Sequence, residues 1–261
     1  MSRPIARVTF LGTGTSHGVP MIGCRCATCR SPDPRDRRWR ASIFIELAGG
    51  VTLLVDTAPD LRSQALAFGV ERVDAVLFTH AHADHILGLD EIRRFNELQG
   101  GPMSCYGDPA TLREVRRTFA YAFRNGLEGG TIPRLRLFTL AGPASFGGQT
   151  FVPVPVRHGS QLIFGYRLGS FAYLTDCSAI PDGSWALLDG VRLLALDALR
   201  ERPHPTHFSL GEALEVVARL KPEQALLTHV CHDLPHGPTC ARLPRGVELA
   251  YDGLRVDISG E

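Results

Sequence analysis

The sequence has 261 residues, of which 44% are hydrophobic and 21% are charged, and 28 basic against 27 acidic side chains give a net charge of +1. This is an ordinary globular composition, and the near-neutral charge argues against a dedicated nucleic-acid-binding protein. No apolar run approaches the roughly 20 residues that cross a bilayer, and the N-terminus resembles a strand rather than a signal peptide. We therefore expect a cytoplasmic protein without a membrane partner and without a nucleic-acid partner.

Short segments rich in Val, Ile, Leu, Phe and Thr predict β-strands along the whole chain. In chain order they are residues 7–11, 42–47, 51–56, 73–79, 135–140, 149–156, 163–168, 171–175, 192–196, 225–228, 247–250 and 254–258. Gly49 and Gly50 predict a hairpin between the second and third of these strands. Strands and helices alternate without a break in composition, so we predict a single domain over residues 1–261.

Helical periodicity predicts helices at residues 60–68, 109–123 and 209–220. Asp60 is the predicted N-cap of the first helix. Residues 126–133 are predicted to form a surface loop.

Polar side chains follow the C-terminal ends of apolar strands. His80 follows residues 73–79, Asp176 follows the strand at 171–175, and His229 follows the strand at 225–228. Ligands of open α/β sheets collect at such strand ends. The sequence therefore predicts that one edge of the sheet gathers ligands from distant segments.

The segment 79–85 carries four metal-competent side chains, His80, His82, Asp84 and His85, directly after a buried strand. Imidazole and carboxylate groups together suit Zn, Mn, Fe or Ni. In a loop, His80 and His82 can share one ion, while Asp84 and His85 can reach a second. A polar helix start with Asp84 as a cap is the alternative, but it leaves three clustered histidines without a purpose.

A second cluster contains Cys24, Cys26 and Cys29, too closely spaced for a disulfide framework. Three thiolates leave a tetrahedral structural zinc one ligand short. His232, three residues beyond His229, is the predicted fourth ligand, and Cys231 is its competitor. Residues 23–30 are therefore predicted to form a zinc-binding loop, which we favour over a redox role.

The pattern H-x-H-x-D-H at residues 80–85 resembles the signature of the metallo-β-lactamase superfamily. The resemblance implies an α/β protein with the αββα sandwich of that superfamily and a dinuclear metal hydrolase. It assigns His80, His82 and His158 to one ion. It assigns Asp84, His85 and His229 to the other ion, with Asp176 bridging the two.

The cysteine loop and the spacing of His232 after His229 narrow the resemblance to the phosphodiesterase family that accompanies carbon–phosphorus lyase in phosphonate catabolism. This implies that a metal-bridging hydroxide hydrolyses small cyclic phosphodiesters, such as 5-phosphoribosyl 1,2-cyclic phosphate. Mn or Zn, or else Ni or Fe, would occupy the active site and one Zn the cysteine loop. Asp84 and His207 are the implied catalytic residues, with His207 stabilising the phosphoryl group or protonating the leaving alkoxide.

Other functions stay open from the sequence. A nuclease that processes tRNA 3′ ends, or a nucleotide phosphodiesterase, shares the superfamily, but the former normally carries an inserted basic arm that the sequence lacks. The branch related to pyrroloquinoline quinone biosynthesis carries a similar cysteine loop in a longer chain. A binding module with a decayed metal site is opposed by the filled ligand positions. The small-molecule substrate is the expected partner, and a homodimer is compatible with the resemblance.

The glycine-rich segment 12–18 imitates a dinucleotide-binding fingerprint, but its third glycine is misplaced and no helix follows. Near the metals, such a loop lets the backbone approach a substrate closely. His17 in this loop is a candidate substrate contact, with a hydrogen bond to the backbone as the alternative. Arg93, on a predicted short helix, is a candidate for contact with a substrate phosphate, while Arg94 is expected to face water.

Overall fold

The apolar segments form β-strands that pair into two sheets. The computed structural model describes residues 4–124 and 131–260, so most of the predicted loop at 126–133 lies outside the described residues. The strands are β1 (Pro4–Gly12), β2 (Ser42–Leu47), β3 (Thr52–Val55), β4 (Ala75–Leu77), β5 (Met103–Gly107), β6 (Leu135–Thr139), β7 (Ala144–Phe146), β8 (Gln149–His158), β9 (Gln161–Leu168), β10 (Phe171–Leu174), β11 (Leu193–Asp197), β12 (Gln224–Thr228), β13 (Val247–Leu249) and β14 (Arg255–Ser259).

Each sheet is half antiparallel and half parallel. The first has the order β14-β1-β2-β3-β4-β5-β6, and the second has the order β13-β12-β11-β10-β9-β8-β7. From β3 to β6 and from β10 to β13 the neighbouring strands are parallel, so their C-terminal ends lie along a common edge of each sheet. These are the edges at which the predicted ligands lie.

Helices cover the outer face of each sheet. They are α1 (Leu61–Phe68), α2 (Ala83–Ile86), α3 (Ile92–Gln99), α4 (Pro109–Thr118), α5 (Asp182–Trp185), α6 (Leu210–Leu220) and α7 (His236–Cys240), with 3₁₀ turns at Thr28–Arg30, Pro34–Asp36, Leu87–Glu91, Ala120–Phe123 and Ala186–Leu188. Within the described ranges, no helix is long and apolar enough to span a bilayer.

Alternation of side chains along the strands builds the layers. In β2, Ile43 and Ile45 pack between the two sheets, whereas Phe44 packs on the opposite face beneath the helices. Tyr166 and Tyr173 of the second sheet join the central layer. Helices α1, α3 and α4 cover the first sheet and α6 covers the second, which confirms the predicted αββα sandwich.

The predicted elements match the observed ones closely, with a few physical exceptions. The strand predictions missed β5 and β7, because β5 carries Ser and Gly among its apolar residues and β7 has only three residues. The helix predicted at 109–123 ends at Thr118 and continues as a 3₁₀ turn. Asp60 occupies the N-cap of α1, but its carboxylate caps nothing there because it accepts from the backbone N–H of Arg40 instead. The hairpin at Gly49 and Gly50 is confirmed.

Candidate dinuclear metal centre

Loops after strands of both sheets converge on one site. His80, His82, Asp84 and His85 lie between the end of β4 and the first residues of α2. The second sheet supplies the other side chains, from the ends of three strands. These are His158 at the end of β8, Asp176 after β10 and His229 after β12.

The first group joins His80, His82 and His158, whose ring nitrogens lie within 4.8 Å of one another. His80 and His158 are buried, and His82 is exposed. The ring centroids are 4.5–5.3 Å apart. Burial lowers the pKa of His158 to about 4 and lowers the pKa of His80 well below its usual value, so both rings are neutral and can donate a lone pair.

The second group joins Asp84, His85, Asp176 and His229, all of them buried. Nε2 of His85 lies 3.1 Å from Oδ2 of Asp176, and Nε2 of His229 lies 3.3 Å from Oδ1 of the same carboxylate. Oδ1 of Asp176 is also 3.9 Å from Nε2 of His80 in the first group. Asp176 therefore stands between the two groups, where a bridging ligand would be needed.

Unpartnered polar atoms show that these residues fit metal ions. Nε2 of His80, His85 and His229 and Oδ2 of Asp84 are buried and have no hydrogen-bond partner among the described residues. Leaving such atoms unpaired costs about 1–3 kcal/mol each. Coordination of divalent ions would satisfy these atoms together, and imidazole with carboxylate is a donor set for Zn or Mn.

One carboxylate that the sequence did not single out is hydrogen-bonded to the second group and, through Thr79, lies next to the first. Asp56, directly after β3, accepts a 2.6 Å hydrogen bond from Nδ1 of His85. It also accepts from the backbone N–H and the hydroxyl of Thr79, at 2.8 and 2.7 Å. The hydroxyl oxygen of Thr79 lies 3.0 Å from Nδ1 of His80. Partners of this kind fix ring orientation in metal sites. An acidic residue at the end of a strand was the available sequence signal.

The backbone is left-handed where it turns into the site. Asp56, Asp176 and His229 have φ angles of 65°, 53° and 57°. This conformation costs about 1–2 kcal/mol for an L-residue, and Asp and His adopt it more readily than bulky residues. The residue types at these strand ends thus suit both the turn and the site.

The ring of His207 lies next to a histidine of each metal-competent group, although His207 is not one of the predicted ligands. Its ring centroid is 4.8 Å from that of His158 and 4.7 Å from that of His229, with which it stacks. Nδ1 of His207 bonds to the buried carboxylate of Asp197 at 2.7 Å. Nε2 is therefore the ring nitrogen left to meet a substrate. Burial and, to a smaller extent, the neighbouring His229 lower the pKa of His207 to about 4.

The cysteine loop meets His232 at a separate site. Nδ1 of His232 lies 3.2, 3.5 and 3.4 Å from the sulfurs of Cys24, Cys26 and Cys29. These four ligand atoms lie within 4.8 Å of one another, as a tetrahedral zinc requires. The sulfur of Cys231, the competitor, instead accepts from the backbone N–H of Asp233.

His17 lies where three cavities meet at the site. Two of them contain predicted active-site residues: one of about 570 Å³ includes Asp84, and one of about 280 Å³ includes His207. Arg93 lines neither of them and forms a 3.0 Å ion pair with Asp90, while Arg94 pairs with Glu97. Among the described residues, no ion pair joins Arg93 to a metal-competent group.

The glycine-rich segment packs against the chain itself. A Cβ atom at Gly12 would lie 2.0 Å from the carbonyl oxygen of Arg40, and one at Gly14 would lie 2.8 Å from that of Arg38. The glycines thus allow the backbone of the segment 38–40, rather than a substrate, to approach the glycine-rich segment closely. The phosphate-binding geometry of a nucleotide fold does not arise, because no helix follows the segment.

Comparison with known proteins agrees with this architecture. A protein-family model for the beta-lactamase superfamily domain matches residues 52–230. A solved structure of a diphosphatase from the PhnP family is 44% identical, with a TM-score of 0.91 and coverage of 97% of this chain and 98% of that one. The chain is 31% identical over 231 residues to a coenzyme PQQ synthesis protein B of Rhodopseudomonas palustris, covering 73% of this chain and 72% of that protein.

A longer relative is an octanoyltransferase of Porphyromonas gingivalis, 36% identical over 256 residues. The match covers 97% of this chain but spans only 51% of the length of that protein.

The fold and the metal-competent groups define a metal-dependent hydrolase. The chain belongs to the β-lactamase superfamily, and its resemblance within that superfamily is to the PhnP family.

Proposed function

We propose that the protein is a dinuclear metal-dependent phosphodiesterase acting on small cyclic phosphodiesters, such as 5-phosphoribosyl 1,2-cyclic phosphate. The observation that carries this proposal is the position of His207 over two metal-competent groups that share Asp176. The similarity to a diphosphatase of the PhnP family also favours a phosphorus ester as substrate.

In this proposal His80, His82 and His158 would hold one ion and Asp84, His85 and His229 would hold the other. Asp176 lies close enough to both groups to serve either ion. Divalent ions at these positions would polarise a phosphoryl oxygen and lower the pKa of water. Asp56 and the carbonyl oxygen of Thr206, which accepts from Nδ1 of His158 at 2.8 Å, hold the rings in place.

His207 acts on the leaving group. The bond to Asp197 directs Nε2 away from the carboxylate. Burial keeps the ring neutral in the free protein, and the Asp197 carboxylate on Nδ1 stabilises the doubly protonated ring that forms during the reaction. Water adds its oxygen to phosphorus and one P–O ester bond breaks. The proton that the water loses is taken up at Nε2 of His207, which passes it to the departing alkoxide and returns to the neutral ring. The product is an open phosphomonoester.

Phosphorus NMR of 5-phosphoribosyl 1,2-cyclic phosphate with the manganese-loaded protein tests the proposal. We expect the cyclic signal to convert to that of a monoester, and we expect His82→Ala to abolish this conversion. No conversion by protein that demonstrably holds its metals would reject this substrate, and nucleotide diesters and RNA ends would be assayed next.

The role of His207 has its own test. Since general acid catalysis contributes about 10²–10⁴-fold, His207→Ala should lower turnover by that order while metal content stays intact. His204→Ala is the matched control, because His204 lies only 5.1 Å from the ring of His207 and is bound to Thr206 rather than to Asp197. Equal turnover of the two variants would dismiss the role of His207.

A further inference from the structure

A third cavity, of about 480 Å³, adjoins the cavity that contains Asp84. It lies between the segment 17–20, the segment 37–40 and the end of α1. Its volume is within the range of about 300–1,000 Å³ that small-molecule sites occupy.

Aromatic and other apolar groups form much of its wall. The rings of Trp39 and Phe68 meet edge to face with centroids 5.8 Å apart, and both side chains are half-buried. Pro20, Pro34 and Ala67 complete the apolar lining. A flat ring that entered the cavity would cover aromatic surface that water now reaches.

The backbone holds Trp39 in place before any ligand binds. Its N–H donates to the carboxylate of Asp252 at 2.6 Å, and its carbonyl oxygen accepts from the N–H of Gly14 at 2.7 Å. The same carboxylate accepts from the N–H and the hydroxyl of Thr13. Because Trp39 is already held in place, less conformational entropy is lost when a ligand binds.

The cavity also offers positive charge. Arg37 is exposed and forms no ion pair among the residues that the structure describes. Arg40 is paired with Asp60 at 2.9 Å through its Nε. The two carboxylates of the lining are Asp60, which pairs with Arg40, and Asp252, which accepts hydrogen bonds from three donors. Neither is paired with Arg37, so the guanidinium of Arg37 is available to bind an anion.

The cavity shares two lining residues with the cavity at the metal-competent groups. His17 and Arg40 line both this cavity and the neighbouring cavity that contains Asp84. A ligand whose phosphorus lies at the metal-competent groups can therefore extend past His17 and Arg40 to Trp39.

We propose that the cavity beside Trp39 and Phe68 is a subsite for a planar aromatic ring of the substrate. The substrate class is then an extended phosphodiester or diphosphate ester that carries a ring such as a nucleobase. The inference rests on the proposed phosphodiesterase function and names a larger substrate class for the same site.

Hydrolysis of two model esters gives the first test, with thymidine 5′-(p-nitrophenyl) phosphate and methyl p-nitrophenyl phosphate as substrates. Stacking on an aromatic side chain favours a base by about 5- to 150-fold, so the wild type should have a higher kcat/KM for the thymidine ester. Trp39→Ala should lower the ratio of the two kcat/KM values by about ten-fold or more, and Trp39→Phe should keep most of it. An equal ratio in the wild type and Trp39→Ala would overturn the proposal.

Fluorescence gives a second test that does not depend on turnover. The chain has two tryptophans, so Trp185→Phe leaves Trp39 as the only indole reporter. We expect adenosine 5′-monophosphate to quench the fluorescence of Trp39 in a saturable way, and we expect Arg37→Ala to weaken its binding. Ribose 5-phosphate, which lacks the base, should not quench the fluorescence. Arg35→Ala is the matched control, because Arg35 is paired with Asp33 outside the cavity.

The two tests separate the two proposals. Saturable quenching with no hydrolysis of either ester or of the cyclic phosphate would reject the phosphodiesterase function and retain the ring subsite. Hydrolysis of both esters with no quenching by the nucleotide would reject the subsite and retain the function.

Discussion

Asp56 links the two metal-competent groups at the scale of single residues. It bonds directly to His85 and reaches His80 through the hydroxyl of Thr79. Replacement of such partners typically lowers metal affinity by about 10–100-fold. We predict that Asp56→Asn weakens metal binding by that factor, measured by competition with a chromophoric chelator.

Asp257→Asn is the control for this prediction, because Asp257 forms an exposed ion pair with Arg7 far along the sheet. The fold of both variants is checked by far-UV circular dichroism. An Asp56→Asn protein that retains the affinity of the control would show that Asp56 does not orient the ligands.

Sequence reasoning at this scale identified the residues that the structure brings together, but not the residues that support them. The spacing at residues 80–85 and the strand-end positions of Asp176 and His229 are local features of the sequence. Asp56 and Asp197 also end strands, yet their contacts with His85 and His207 depend on which strands are neighbours. Strand order is a long-range property, and single-sequence patterns do not determine it.

At the scale of elements, the loop 229–234 joins the candidate metal centre to the cysteine cluster. His229 belongs to the first and His232 to the second. The fully buried guanidinium of Arg38 donates to the carbonyl oxygens of Cys231 and Leu234, at 2.9 and 2.8 Å, and to Asp36 at 3.1 Å. Arg38 thus fastens this loop to the segment that follows the cysteines.

Arg38→Met should destabilise the protein strongly. It removes the donor to the carbonyl oxygens of Cys231 and Leu234, and it leaves the Asp36 carboxylate with the backbone N–H of His236 but without its cation. Breaking a buried ion pair costs about 3–5 kcal/mol. We expect the free energy of unfolding in urea to fall by that amount, with faster release of zinc from the cysteine site to a chelator.

Arg35→Met is matched to this variant, because Arg35 lies three residues away in an exposed ion pair with Asp33. Exposed pairs contribute about 0–1 kcal/mol, so this change should have little effect. Similar losses in both variants would contradict the role assigned to Arg38.

The elements themselves were largely predictable because local patterns dictate them. Ser209 and Glu212 form a capping box at the start of α6, and the helix begins where the sequence indicated. The edge strand β7 and the short helices α5 and α7 escaped prediction because three to five residues are too few to show a period.

At the scale of the whole molecule, His236 makes stability depend on pH. Burial, together with the nearby cations Arg35 and Arg38, lowers its pKa to about 4 against the opposing effect of Asp33 and Asp36. An unfolded histidine titrates near 6.5, so between about pH 6.5 and pH 4 the unfolded chain binds more protons. Stability from this group is complete above pH 6.5 and is lost as the pH falls toward 4.

His236→Phe should therefore flatten the decline in unfolding free energy over this pH interval, measured by urea titrations at pH 4.5, 5.5, 6.5 and 7.5. Phenylalanine keeps a ring against Tyr251, and Nδ1 of His236 has no partner among the described residues that the change would orphan. An unchanged pH slope would show that His236 is protonated as easily in the folded protein as in the unfolded chain.

Metal ions should also stabilise the molecule as a whole, because their proposed ligands come from both sheets. Residues 80–85 follow a strand of the first sheet, whereas His158, Asp176 and His229 follow strands of the second. The unfolded chain does not hold these ligands together, so an ion binds mainly to the folded state. Each such ion adds about 4 kcal/mol at a free concentration 1,000 times its dissociation constant.

Removal of metal should accordingly lower the melting temperature, and added manganese should restore it in proportion to the logarithm of its free concentration. Calorimetry of the chelator-treated wild type, His82→Ala and Cys26→Ala separates the sites. The response to manganese should shrink in His82→Ala, which lacks a ligand of the first group, and persist in Cys26→Ala, which alters only the cysteine site. An ion that binds only the folded state must raise the melting temperature as its free concentration increases. A wild-type melting temperature that does not change with free manganese would therefore show that manganese does not join the two sheets.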